Sequence, residues 1–306
     1  MKKLFILSIA NLCFVSCATL NTYQPHPAVK ILEEFQQWDE DDEEIYVIPY
    51  FVNLMSIYKL DRKDDLENIH KYIIWYLSHL NYPDKYGFTG TMYDYNVSRN
   101  GREKPAGVCD SVDSYSATFL ILIYHYYQAT GDKTLIEKNR KKLEDIAYTI
   151  PFLQDRDGLT TALPDLDEKY LMDNCETYGG ISAFINLSRA MGWETTYYEK
   201  VKKTLRNGIL KHLYDKNRKN FYWAIEDKIK HPSRWTRFYP DSYAQLFPIL
   251  FGLLEKDPEL KRHLWEKFNH YHKNKTDKLP AEQKIVFDLT KRSINNESTY
   301  RFWNAP

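Results

Sequence analysis

The sequence predicts an all-α domain built from repeated helix hairpins, and three observations predict it. Apolar residues recur at helical spacing along most of the chain, and no hairpin of alternating strands stands out except in one loop. Segments apolar on every side alternate with segments apolar along a single stripe, the pattern of an inner layer of helices wrapped by an outer one. An Asp-led triplet also opens three of the apolar segments, Asp113-Ser114-Tyr115, Asp173-Asn174-Cys175 and Asp241-Ser242-Tyr243, at intervals of 60 and 68 residues. Repetition at that period argues for stacked supersecondary units.

Residues 1–17 fall outside the domain. Met1-Lys2-Lys3 is a positive start, and residues 4–15 form an apolar run too short to span a bilayer as a helix, as in a secretory signal. Phe14-Val15-Ser16-Cys17 resembles a bacterial lipobox, with a small residue ahead of the Cys. The resemblance implies that Cys17 is lipidated and becomes the new N-terminus, that residues 18–27 are a tether, and that residues 28–306 sit on the membrane of the cell envelope, at its periplasmic or surface face. Each buried methylene of an acyl chain adds about 0.8 kcal/mol, so several chains anchor stably. The alternative is an ordinary signal peptide with an incidental Cys17. Export permits a disulfide between Cys109 and Cys175, and two buried thiols are the other option.

Residues 45–58, 118–127, 179–190 and 244–254 are apolar nearly all round and therefore belong to the inner layer. The acidic run at residues 38–44 reads as the solvated start of the first of them. Outer helices are marked by the stripes Leu66, Ile69, Ile73, Tyr76, Leu80; Leu143, Ile146, Ile150, Leu153; Tyr198, Val201, Leu205, Ile209; and Leu260, Leu264, Phe268, Tyr271. Connections from inner to outer helices are short, whereas those from outer to inner span roughly residues 81–110, 154–173 and 214–241. In antiparallel hairpins this alternation gathers every long loop at one end, over the starts of the inner helices, and that end is the expected functional face.

The inner–outer alternation, the inner helices opening with Asp-Ser or Asp-Asn, and the turn Asp155-Arg156-Asp157-Gly158-Leu159 resemble the six-hairpin glycosidase superfamily. Its α/α toroids include endoglucanases, glucoamylases, unsaturated glucuronyl hydrolases, sugar epimerases and polysaccharide lyases. The likeness covers most of residues 28–306 and implies an α/α toroid acting on carbohydrate. Four hairpins are clear where the full toroid has six, so the ring is expected to fall short of six and its closure stays open.

Glycosidic hydrolysis commonly uses two carboxyl groups, one protonated and one ionised, about 5 to 9.5 Å apart. Asp110, Asp113, Asp173, Glu176 and Asp241 all fall at the starts of inner helices. Glu176 is the candidate acid and Asp113 the candidate base, since each follows another acidic residue and is less needed as a cap. Capping alone accounts equally for Asp173 and Asp241. A helix N-terminus lowers a carboxyl pKa, so an acid role for Glu176 requires burial or a like charge. Tyr93, Tyr95 and Arg99, in a loop with partial strand alternation, and Trp223, Trp235, Arg237 and Tyr239, ahead of Asp241, are candidate sugar contacts. Loops packed down by their own aromatic rings are the plain alternative.

Lys plus Arg and Asp plus Glu both total 42, so no excess positive charge offers itself to nucleic acid. The nine His show no HExxH spacing, Asp155 and Asp157 lack the later ligands of a calcium loop, and no glycine-rich phosphate loop or nucleophile elbow occurs; no metal or cofactor is predicted. His270 and His272 read as surface residues of an outer helix. The favoured function is glycoside hydrolysis of a poly- or oligosaccharide. A lyase or epimerase using Tyr239, Arg237 or a His, and a non-catalytic helical-repeat lipoprotein binding glycan or an envelope partner, remain as alternatives.

Overall fold

The computed structural model describes residues 25–33 and 43–298. Cys17, nearly all of the tether and the acidic residues 38–42 lie outside the described residues. The helices are α1 (Pro27–Leu32), α2 (Pro49–Asp61), α3 (Leu66–Ser78), α4 (Val112–Thr130), α5 (Lys133–Lys138), α6 (Arg140–Leu153), α7 (Leu171–Met191), α8 (Thr196–Gly208), α9 (Phe247–Leu250), α10 (Pro258–His272) and α11 (Ala281–Ile294). Among the described residues no helix is long and apolar enough to cross a membrane.

Five inner segments close a ring. α2 packs on α4, α4 on α7, α7 on α9, α9 on α11, and α11 back on α2. The fold is thus an α/α toroid of fewer than six units. Closure is fastened at the far end of α2, where Arg292 of α11 pairs with the buried Asp61. Outside the ring α3 lies against α2, α6 against α4 and α7, and α8 against α7.

The layers follow from side-chain chemistry. α4 and α7 bury nearly every residue along their length, including polar ones, which is possible only when neighbours cover all sides. α8 buries Val201, Leu205 and Gly208, half-buries Tyr198, Lys202 and Arg206, and leaves the rest to solvent. Glycine lets α4 and α7 approach closely. A Cβ on Gly180 would stand 2.5 Å from the Ala117 Cα, so any side chain there forces the two helices apart. Gly180 lies one turn below Glu176, and Ala117 one turn below Asp113. Gly180→Ala is therefore expected to cost about 1–3 kcal/mol, read as a fall of several degrees in Tm; an unchanged melt would contradict this packing.

Two inner segments differ from the sequence expectation. The stretch after the acidic run begins as strand β1 (Glu44–Val47), with Ile45 and Val47 buried and Glu44 and Tyr46 exposed, and the helix starts only at Pro49, whose fixed φ suits a first turn. β1 pairs antiparallel with β2 (Tyr95–Ser98), and β2 with β3 (Glu103–Pro105), so the loop hairpin is real but belongs to a three-stranded sheet. The predicted helix at 244–254 contracts to α9, because Pro248 cannot donate to the Ala244 carbonyl and Gly252 turns the chain with φ 78°.

The long connectors carry the other strands. β4 (Lys169–Tyr170) pairs with β7 (Ala224–Glu226), β7 with β8 (Ile229–His231), and β5 (Tyr214–Asp215) with β6 (Asn220–Phe221). These pairings are too short to show as alternation in the sequence. His272 is buried, against expectation, with its Nε2 2.7 Å from the Trp235 carbonyl oxygen. Cys109 and Cys175 are separate buried thiols.

Candidate active site

The starts of all five inner segments meet at one cavity of about 780 Å³ beneath the long connectors. α2 contributes Tyr50 and Phe51, α4 Ser114 and Tyr115, α7 Asp173 and Glu176, the turn before α9 Tyr239 and Tyr243, and α11 Glu282 and Gln283. The connectors add Asp94, Asp110, Tyr170, Trp223 and Glu226. The gathering of inner-helix starts under long loops, anticipated from loop lengths, is thus present.

Glu176 is buried, and its Oε1 accepts a hydrogen bond from the Tyr50 hydroxyl at 2.6 Å. Burial is the main cause that lifts its pKa to about 8; the charge of Asp113 adds to the rise, while the hydroxyls of Tyr50 and Ser114 oppose it. The helix-end effect that counted against an acid role is therefore outweighed. Tyr50 stays a donor, because burial, with the Glu176 charge behind it, holds its phenol far above the usual value. Asp173, one turn earlier on α7, is also pushed up, by burial first and then by Asp113, Glu176 and Asp110.

Asp113 lies close to these groups but off the cavity wall. It is fully buried, and its carboxylate accepts from the Ser111 hydroxyl at 2.6 Å, the Ser114 amide at 2.8 Å, the Thr160 hydroxyl at 2.6 Å and, more weakly, the Thr177 hydroxyl at 3.5 Å. Both oxygens are thus engaged by the protein, and the carboxylate is buried away from the cavity wall. Burial raises its pKa against those donors. Of the pair, Asp113 has the richer set of donors, which favour its charged form, whereas burial holds the proton on Glu176.

The other carboxyls separate cleanly. Asp110 lines the cavity and is exposed. Asp94 accepts from Tyr115 at 2.7 Å and Tyr46 at 2.9 Å. Asp241 is buried off the cavity wall, accepts from the Arg234 amide at 2.8 Å and sits 3.4 Å from the Arg237 guanidinium, so it fastens the preceding connector and, against expectation, caps no helix. Asp155 and Asp157 both pair with Lys169, at 2.7 and 2.8 Å, so an ammonium fills their turn.

Of the predicted sugar contacts, Trp223 and Tyr239 line the cavity, whereas Tyr93, Tyr95, Arg99, Trp235 and Arg237 do not. Tyr95 is packed edge-on against Trp75 and His79 in the core, and the Tyr93 hydroxyl is taken up by the Lys85 amide at 2.6 Å. The Leu171 amide donates to the Trp223 carbonyl at 2.9 Å beside the β4–β7 pairing. This holds Tyr170 and Trp223 as parallel rings, with an interplanar angle of 6° and centroids 6.4 Å apart. Tyr115 and Tyr243, which the sequence reasoning passed over, occupy the third position of two Asp-led triplets; that shared position was the available signal.

No protein-family model and no curated protein matches the chain. Its fold is similar to several solved structures. A cellobiose 2-epimerase from Bacillus thermoamylovorans superposes with a TM-score of 0.50 at 12% identity, covering 83% of this chain and 74% of that one. A GH76 alpha-mannanase from Bacteroides thetaiotaomicron gives 0.52 at 10% identity, covering 91% and 86%. A rhamnosidase from Klebsiella oxytoca with rhamnose bound gives 0.56 at 12% identity, covering 88% of this chain but 52% of its own length, so the chain spans about half of that enzyme.

Proposed function

We propose that the protein hydrolyses a glycosidic bond in a poly- or oligosaccharide, with Glu176 as the general acid. The observation that carries this reading is a buried carboxyl on the wall of a large aromatic cavity, poised at about 8 and hence protonated at neutral pH. Such a group can donate to the leaving oxygen. Asp110, the solvent-open carboxyl of the same cavity, is assigned as the ionised partner that activates water or attacks the sugar. Tyr170 and Trp223 supply a flat apolar wall for a sugar ring. The likeness in fold to an epimerase, a mannanase and a rhamnosidase with rhamnose bound supports a carbohydrate substrate.

β-Elimination is the poorer fit. A lyase must neutralise a uronate carboxylate beside the proton it removes, and no Lys, Arg or His is among the described residues that line the cavity. We also propose that the domain works outside the cytoplasm, tethered through lipid at Cys17. Metabolic labelling with an alkyne fatty acid tests this, with label expected in the wild type and lost in Cys17→Ala.

Incubating the domain with a panel of oligosaccharides is expected to release new reducing ends without ultraviolet absorbance from an unsaturated sugar. Absorbance without hydrolysis would replace this reading with elimination. Trp223→Ala is expected to raise KM about tenfold, the scale of one aromatic contact, with a smaller effect on kcat; steady-state kinetics on the same sugar checks it.

A further inference from the structure

Six carboxyl groups line the cavity: Asp94, Asp110, Asp173, Glu176, Glu226 and Glu282. None of the described lining residues is a cation. Two basic groups on the connectors stand off the wall, each beside a carboxylate, His231 with Glu226 at 3.1 Å and Arg237 with Asp241 at 3.4 Å.

Helix N-termini are the remaining source of positive potential, and three of those at the cavity are matched, whereas that of α2 has no acidic residue in its first turn. α4, α7 and α11 each carry a carboxyl in the first turn, Asp113, Asp173 and Glu282 respectively. An acidic ligand entering this cavity would meet like charge and find no guanidinium or ammonium among the described lining residues, only helix starts without a carboxyl, such as that of α2. At separations of several ångströms and an effective dielectric near 20, each such repulsion is worth about tenfold or more in affinity.

We infer that the saccharide taken by this cavity carries no acidic group on the units seated there: no uronate carboxylate, sulfate or phosphate. The inference rests on the carbohydrate reading above and narrows it. A neutral sugar offers hydroxyls that donate to the carboxylates and carbon faces that stack on Tyr170 and Trp223. An amino sugar shares the same lack of acid groups and would gain from the negative surroundings.

The test uses the full mature protein and three oligosaccharides of one length and linkage: a neutral one, the same chain oxidised at C6 to uronates, and its 2-amino counterpart. Binding is measured by titration calorimetry with Glu176→Gln, and turnover with wild type. The neutral or the amino chain is expected to be preferred over the uronate by about 100-fold, and Glu282→Lys is expected to shrink that ratio at least tenfold. If the uronate chain binds or turns over as well as the other two, the charge inference is overturned while the glycan-acting role stands. If no chain of any charge binds or reacts, the carbohydrate reading itself fails, and this inference with it.

Discussion

Glu176→Gln is expected to lower kcat about a thousandfold while making the protein more stable at neutral pH. The loss follows from removing the proton donor, since general acid catalysis typically contributes on the order of 10²–10⁴. The gain follows from linkage. In the folded state the Glu176 pKa is lifted from its ordinary 4.5 to about 8, so between those values the folded protein holds a proton that the unfolded chain has released. Stability is therefore fully present below 4.5 and declines as pH rises toward 8. The amide substitution removes that penalty and can still accept from Tyr50, so it should stabilise by about 2–3 kcal/mol at pH 7 and by almost nothing at pH 4. Urea unfolding of both proteins at the two pH values measures it. Wild-type activity should correspondingly fall on the alkaline side as the acid loses its proton near 8. A Glu176→Gln enzyme with ordinary activity would remove Glu176 from the chemistry.

Asp113→Asn separates two roles that a first-turn carboxyl can play. As a base it would be needed at every pH, and its loss would cost about a thousandfold throughout. With its oxygens taken up by Ser111, Ser114 and Thr160, it is instead a positioning residue whose charge helps keep Glu176 protonated. Asparagine is therefore expected to retain activity within about tenfold near pH 5.5 and to shift the alkaline limb down by roughly one pH unit. Asp113→Ala, which removes the acceptor of two buried hydroxyls and an amide, should by contrast cost about 3 kcal/mol or more. A pH profile of kcat/KM for wild type and Asp113→Asn decides between the roles.

The different fates of Asp113 and Glu176 mark where sequence reasoning stops. Both are acids near the starts of inner helices, Asp113 in the first turn of α4 and Glu176 in the second turn of α7, and local spacing treats them alike. What distinguishes them comes from far along the chain: Thr160, 47 residues away, closes over Asp113, and Tyr50, 126 residues away, points at Glu176. The inner helices α4 and α7 were legible because burial on every side leaves an unbroken apolar record. α11 was not, since it is apolar along one stripe and opens without an Asp-led triplet, and only its contacts with α9 and α2 place it in the ring. Strand alternation around Tyr95 was visible, but which face met the core depended on pairing with β1. The convergence of helix starts could be read because loop lengths alone dictate it in antiparallel hairpins.

Carbon-13 NMR of the glutamate side-chain carboxyls, followed through a pH titration, addresses the protonated acid most directly. One carboxyl signal is expected to titrate near 8 in the wild type, to be missing in Glu176→Gln, and to move to lower pH in Asp113→Asn. If instead every glutamate titrates below about 5, Glu176 is ionised at neutral pH and cannot be the acid.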